Sequence, residues 1–147
     1  MKSNQDDYLK YWRVIRQYIK IKYNLTQSDL DMLLFLYSEK YFGRDRFKEF
    51  ESLLEWDANR FQRLVKEGWI EKFRNRVGKR KALYQLPIRT KRVIQLIYRK
   101  LNGEEIPVSP SSNKMFRKNV PYTHKIYKDM IIEMNNTIKQ QRHRAPE

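Results

Sequence analysis

A cationic stretch between Lys72 and Gly103 limits the folds open to this chain, because it carries eleven Lys or Arg side chains and no Asp or Glu. Its densest part surrounds a lone glycine, Gly78, and follows a short helical pattern that ends at Gly68. The order helix, strand, cationic turn and return strand predicts an exposed hairpin. A nucleic-acid backbone would neutralise such a hairpin, since a duplex carries about one negative charge per 1.7 Å of its axis.

The spacing of apolar residues predicts a mainly α fold with a small β-hairpin. Thr26 and Asp29 are spaced as a capping box, which predicts the start of the second helix, and Gly43 is predicted to end that helix. Asp45 and Asp57 are placed to cap the next two helices. Helices are predicted over residues 8–23, 26–41, 45–54, 58–67, 90–101 and 122–140, and strands over residues 69–75 and 82–86. The composition predicts one domain over residues 1–103, an extended linker over 104–121, and a C-terminal helix with a basic tail over 122–147.

Composition excludes several classes of function. The chain has 147 residues, no cysteine and two histidines, and neither histidine has a clustered carboxylate partner. We therefore predict no catalytic residues, no metal site and no cofactor. The first residues show no secretion pattern, and no apolar run approaches the length of a membrane span, so we predict a cytoplasmic protein that binds no membrane.

The net charge of +15 favours a nucleic-acid partner. A generally basic protein is the alternative explanation, but here the charge is segregated along the chain. Trp12, Trp56 and Trp69 lie at or beside apolar periodic positions, which favours core packing over the stacking of bases.

The order of these elements resembles the MarR-type branch of the winged helix-turn-helix fold. The most specific match runs from Phe61 to Ile70, where an apolar helix end is followed by a glycine and a strand. Residues 83–86 and then Thr90 are similar to the family's second wing strand and the cap of its next helix. The match covers about residues 8–101. Two features depart from the family: the wing tip lacks its usual acidic residue, and the C-terminal extension has no clear counterpart.

The resemblance implies a recognition helix beside a cationic wing. If Phe61, Leu64 and Val65 face the core, the polar residues between them face outwards, where an ordinary solvated surface is the alternative interpretation. Arg suits guanine edges, Asn and Gln suit adenine, and Lys reaches phosphate. The predicted DNA-binding residues are Asn59, Arg60, Gln62, Arg63 and Lys66 on the helix, and Arg74, Arg76, Lys79, Arg80 and Lys81 on the wing.

Two functions remain open at this point. The first is a DNA-binding transcriptional regulator that acts as a homodimer, with the first and last helices as the dimer seam. The second is a structural or assembly module of a larger replication, transcription or virion complex, whose C-terminal extension binds another protein. Duplex DNA is favoured over RNA because a wing and a recognition helix suit a duplex. No residue matches a ligand-sensing motif.

Overall fold

A computed structural model describes residues 8–54 and 58–143 of the chain. Internal contacts group residues 8–25 and 96–143 into one compact unit, and residues 26–54 and 58–95 into a second. The elements are α1 (Tyr8–Tyr23), α2 (Gln27–Leu36), α3 (Arg44–Leu54), α4 (Ala58–Lys66), β1 (Glu71–Arg74), β2 (Leu83–Gln85), α5 (Ile88–Leu101), a short 3-10 helix (Lys114–Phe116) and α6 (Tyr122–His143).

The predicted fold class is confirmed: the chain is mainly helical with one small antiparallel sheet, and residues 26–95 follow the element order of a winged helix. The predicted domain boundaries at residues 103 and 121 stay a prediction. The predicted roles of Trp56 and Asp57 fall outside the described residues.

Aromatic packing holds the second unit together. Phe61 of α4 meets Phe47 of α3 and Tyr84 of β2 with ring centroids 4.7 and 4.9 Å apart, both in edge-to-face geometry. All three residues are buried. Such pairs add about 0.5–1.5 kcal/mol each to the burial of their area. The cluster therefore fixes α4 against α3 and the hairpin.

The second helix is shorter than predicted. α2 ends at Leu36, and the prediction that it continues to residue 41 and ends at Gly43 is wrong. The reason is a tertiary contact: Phe42 donates its N–H to the Tyr84 carbonyl at 3.0 Å and accepts the Tyr84 N–H at 2.8 Å. This bridge requires extended backbone at Phe42 and gives β2 a second partner besides β1. α3 then begins at Arg44, so Asp45 lies in its first turn.

The end of α4 follows the sequence prediction closely. Gly68 has a φ of +85°, the left-handed conformation expected of it. The Gly68 N–H donates to the Val65 carbonyl and the Trp69 N–H to the Leu64 carbonyl, which is the Schellman pattern. Trp69 is buried, as predicted.

Thr90 does not cap α5, because that helix begins at Ile88. The Thr90 hydroxyl instead donates to the Trp69 carbonyl at 2.7 Å, inside the core. The Arg89 guanidinium lies 3.9 Å from the centroid of the Trp69 ring. The start of α5 therefore fixes the segment that leads from α4 into the hairpin.

Gly68→Ala is expected to lower the free energy of unfolding by about 1–2 kcal/mol, since a left-handed backbone is unfavourable for a side chain with a Cβ. The added Cβ would also lie 3.3 Å from Nη1 of Arg89, which donates to the Glu67 carbonyl at 3.0 Å, so this guanidinium would have to shift by a few tenths of an ångström. Chemical denaturation measures the change. Gly68→Asn is the control, because Asn tolerates this backbone region and should lose less. Equal loss in both variants would contradict the backbone explanation.

In the first unit, α1 packs against α6. Among the described side chains of α1, the buried ones are Tyr11, Val14, Ile15, Tyr18 and Ile19. Trp12 and Tyr23 on the same helix are half-buried.

The segment between α5 and α6 is tied to α6. The Ile106 N–H donates to Oδ1 of Asn135 at 3.0 Å, and Nδ2 of Asn135 donates to the Ile106 carbonyl at 2.8 Å. Met115 of the 3-10 helix is fully buried and also anchors this segment. The Asn135 side chain thus satisfies the backbone N–H and carbonyl of Ile106, in a segment that has few regular backbone hydrogen bonds.

Candidate nucleic-acid interface

The outer face of α4 carries three of the predicted site residues. Asn59, Gln62 and Lys66 are exposed, whereas Phe61 and Leu64 are buried. Helical spacing separates the two groups, since residues three and four apart share a face. The core contacts of Phe61 therefore leave the amide and ammonium groups of α4 available to a partner.

Arg60 and Arg63, the other two predicted DNA-binding residues of α4, have an intramolecular partner. Nη1 of Arg60 lies 3.0 Å from Oδ1 of Asp29, and Nη2 of Arg63 lies 2.7 Å from the same oxygen. Nη1 of Arg60 also donates to Oγ1 of Thr26 at 2.9 Å. The side chain of Arg60 is 18% exposed and that of Arg63 is 40% exposed. Both guanidinium groups thus connect α4 to the start of α2.

Asp29 is fully buried, and its carboxylate contacts both the start of α2 and two arginines of α4. As predicted, it forms a capping box with Thr26: the Asp29 N–H donates to Oγ1 of Thr26 and the Thr26 N–H donates to Oδ2 of Asp29, both at 3.1 Å. Burial acts to raise the pKa of Asp29, but hydrogen bonds from Arg63, Thr26 and Arg60 outweigh it and the pKa lies below its ordinary value. The carboxylate is therefore ionised at neutral pH, and it holds both arginines.

The wing is a short, irregular hairpin. Glu71 pairs with Gln85 and Lys72 with Tyr84, and a register shift follows between Lys72 and Arg74. At the tip, the Val77 N–H donates to the Arg80 carbonyl at 3.0 Å and the Arg80 N–H to the Val77 carbonyl at 2.9 Å. Backbone hydrogen bonds between Val77 and Arg80 thus close the loop between the strands, and the cationic side chains of the loop are exposed to solvent.

The predicted wing cations differ in their surroundings. Four are exposed, namely Arg76, Lys79, Arg80 and Lys81. Lys81 pairs with Asp45, also exposed, and Nε of Arg76 donates to the Gly78 carbonyl at 3.2 Å. Arg74 is half-buried and its Nη2 donates to the Lys81 carbonyl at 3.0 Å, so it supports the hairpin.

A shallow groove of about 350 Å³ lies between the wing and the start of α3. It brings together three predicted wing residues and one cation that was not predicted, Arg44. The Arg44 guanidinium lies 5.1 Å from the centroid of the Phe61 ring. The residues around the groove are Arg44, Asp45, Arg76, Lys79, Lys81, Ala82 and Tyr84. The sequence gives one indication of this role: Arg44 directly follows Gly43, at the start of a helix.

Two other features bear on the predicted absence of metal and membrane binding. Within residues 8–54 and 58–143, no group of three or more His, Cys, Asp or Glu is arranged to hold a metal ion. None of the helices in that part of the chain has both the length and the apolar content that a bilayer span requires.

Comparison with known proteins finds a similarity among solved structures and no match in sequence. No family model matches the chain, and no curated protein matches it. Among solved structures, that of AbfR in its disulfide-formed state aligns with a TM-score of 0.45 and 16% identity, over 93% of this chain and 88% of AbfR. Likeness at this level carries no functional conclusion, so the function proposed below rests on the residues of this chain.

Proposed function

We propose that this chain is a MarR-type winged-helix protein that binds duplex DNA and regulates transcription. The observation that carries the proposal is the exposed cationic wing tip in the same compact unit as the polar face of α4. Arg76, Lys79 and Arg80 pair with no carboxylate among the described residues, and phosphate groups would neutralise them.

In this proposal α4 enters the major groove. Asn59 and Gln62 contact base edges, where their amides suit adenine, and Lys66 contacts phosphate. Arg60 and Arg63 hold α4 against α2 in the free protein. These arginines contact bases only if DNA displaces them from Asp29. Arg63 is the more exposed of the two, so it is the better candidate for a base contact. The wing cations contact the backbone or the minor groove.

We further propose that the protein acts as a homodimer, so that two recognition helices meet successive half-sites. In the single chain α1 packs against α6, so the dimer would use the outer face of α6. Tyr122, Ile126 and Ile132 on that helix are 74%, 46% and 41% exposed. Sedimentation of a stable monomer at micromolar concentration would remove the dimer from the proposal.

One observation favours the alternative role as an assembly module of a larger complex. A groove of about 750 Å³ lies in the first unit between α6 and the segment that precedes Val108. Val108 and Ile132 line it and are 49% and 41% exposed, so a partner could bury them.

Salt-dependent binding separates the two functions. With four to six phosphate contacts, the plot of log affinity for a duplex against log salt is expected to have a slope of about −4 to −5. Fluorescence anisotropy with a labelled duplex measures it, and selection from a random duplex library then identifies preferred bases. Weak binding with a nearly flat salt dependence would contradict the DNA proposal and favour the assembly role.

A further inference from the structure

Two aromatic rings pack against each other at the surface of the second unit. The centroids of Tyr41 and Phe73 are 4.2 Å apart, and the ring planes are tilted by 32°. Tyr41 is 39% exposed and Phe73 is 49% exposed. A soluble protein normally buries rings of this size, so an exposed pair indicates a contact surface.

The backbone explains why these rings lie outside the core. Phe42 forms its bridge with Tyr84 of β2. Both residues are buried, and their ring centroids are 6.5 Å apart. Tyr41 lies in a bend just before Phe42 and takes no part in the bridge, so its side chain is not buried with that of Phe42. Phe73 lies where the register of β1 shifts, between Lys72 and Arg74. Bulges of this kind re-aim a side chain, and here the side chain meets Tyr41.

A cation lies beside the aromatic pair: Nζ of Lys40 is 5.7 Å from the centroid of the Tyr41 ring. Exposed Lys72 precedes Phe73 in β1. An apolar protein partner would cover the rings but give these two cations no counterion. A partner that is both flat and anionic satisfies the rings and the cations together, and an unpaired nucleotide has a flat base and a phosphate.

We propose that Tyr41 and Phe73 form a stacking surface for an unpaired base, such as one in a single-stranded tail or a frayed end. The inference rests on the nucleic-acid binding proposed above, because the wing would bring the strand to this surface. It adds a second ligand form, single-stranded nucleic acid, to the proposed duplex.

The test compares a blunt duplex with the same duplex carrying a short thymidine tail or an abasic tail. Both tails have the same phosphates, but only one has bases. The wild-type protein should bind the thymidine tail about five- to tenfold more tightly than the abasic tail, the lower part of the range for stacking one base. Tyr41→Leu with Phe73→Leu keeps apolar side chains without rings, and should lose this difference while its affinity for the blunt duplex stays within about twofold.

Tyr98→Leu is the matched control, because Tyr98 is another aromatic residue with 52% exposure and should keep the difference between tails. Equal wild-type affinity for the two tails overturns the stacking proposal and leaves duplex binding in place. An equal loss on the blunt duplex, or loss of self-association in the double variant, also overturns it. If no oligonucleotide binds, the proposed function fails as well.

Discussion

Asp29→Ala is expected to lower the free energy of unfolding by about 2–4 kcal/mol. The buried carboxylate holds Arg60 and Arg63 of α4 and accepts the N–H of Thr26 at the start of α2. Its removal takes away the buried carboxylate that the two guanidinium groups share, although Arg63 keeps a 3.5 Å pair with Glu67 at the surface, and it also removes half of a capping box. Urea denaturation followed by circular dichroism measures the loss.

Asp45→Ala is the matched control. Asp45 also lies in the first turn of a helix and pairs with a cation, Lys81, but both side chains are exposed, at 66% and 74%. An exposed pair contributes little, because water and salt screen it. If Asp29→Ala and Asp45→Ala cost the same, burial of Asp29 would not be the source of its effect. A double-mutant cycle with Arg63→Ala would isolate the pairwise part.

Acid titration gives a second measurement of the same carboxylate. Since the pKa of Asp29 is lower in the folded protein than its ordinary value, the unfolded chain takes up a proton first as pH falls. The stabilisation is complete well above the unfolded-state pKa of about 3.9 and is lost as pH falls through the lower folded-state value. The stability gap between wild type and Asp29→Ala should therefore be constant near neutral pH and narrow below about pH 4.

The Asp29 cluster shows how far the sequence could lead. The capping box of Thr26 and Asp29 could be predicted because its two residues are three apart and the pattern is local. The ion pairs with Arg60 and Arg63 span 31 and 34 residues. No periodicity or local spacing connects positions so far apart. The arginines could be predicted to face outwards from α4, but their contact with α2 depends on how the helices pack.

The same reasoning explains the errors in element boundaries. Gly68 and the hairpin around Gly78 could be predicted because glycine tolerates the left-handed backbone best. The end of α2 could not be predicted from the sequence, because the residues after Leu36 are also compatible with a helix. The chain leaves the helix there to reach the bridge between Phe42 and Tyr84, which is a tertiary contact. Arg44 was missed because its place beside the wing groove comes from tertiary packing.

Replacing Arg76, Lys79, Arg80 and Lys81 together with Gln is expected to weaken duplex binding by about 10²- to 10³-fold at near-physiological salt. Each phosphate contact contributes about −0.9 to the slope of log affinity against log salt. The loss of four contacts should therefore make the slope shallower by about three to four. Stability should change little, because all four side chains are exposed. Anisotropy titrations over a range of salt concentrations measure affinity and slope together.

A second variant separates a local contact from a general effect of charge. Lys114, Arg117, Lys118 and Lys125 are exposed and belong to the other compact unit, and their replacement with Gln removes the same formal charge. Long-range attraction alone would weaken binding similarly in both variants, whereas direct contact at the wing requires a much larger loss and a shallower slope in the wing variant. Equal losses would therefore contradict the assignment of the wing, even if the protein binds DNA. A large loss confined to the wing variant would place the phosphate contacts at the turn around Gly78.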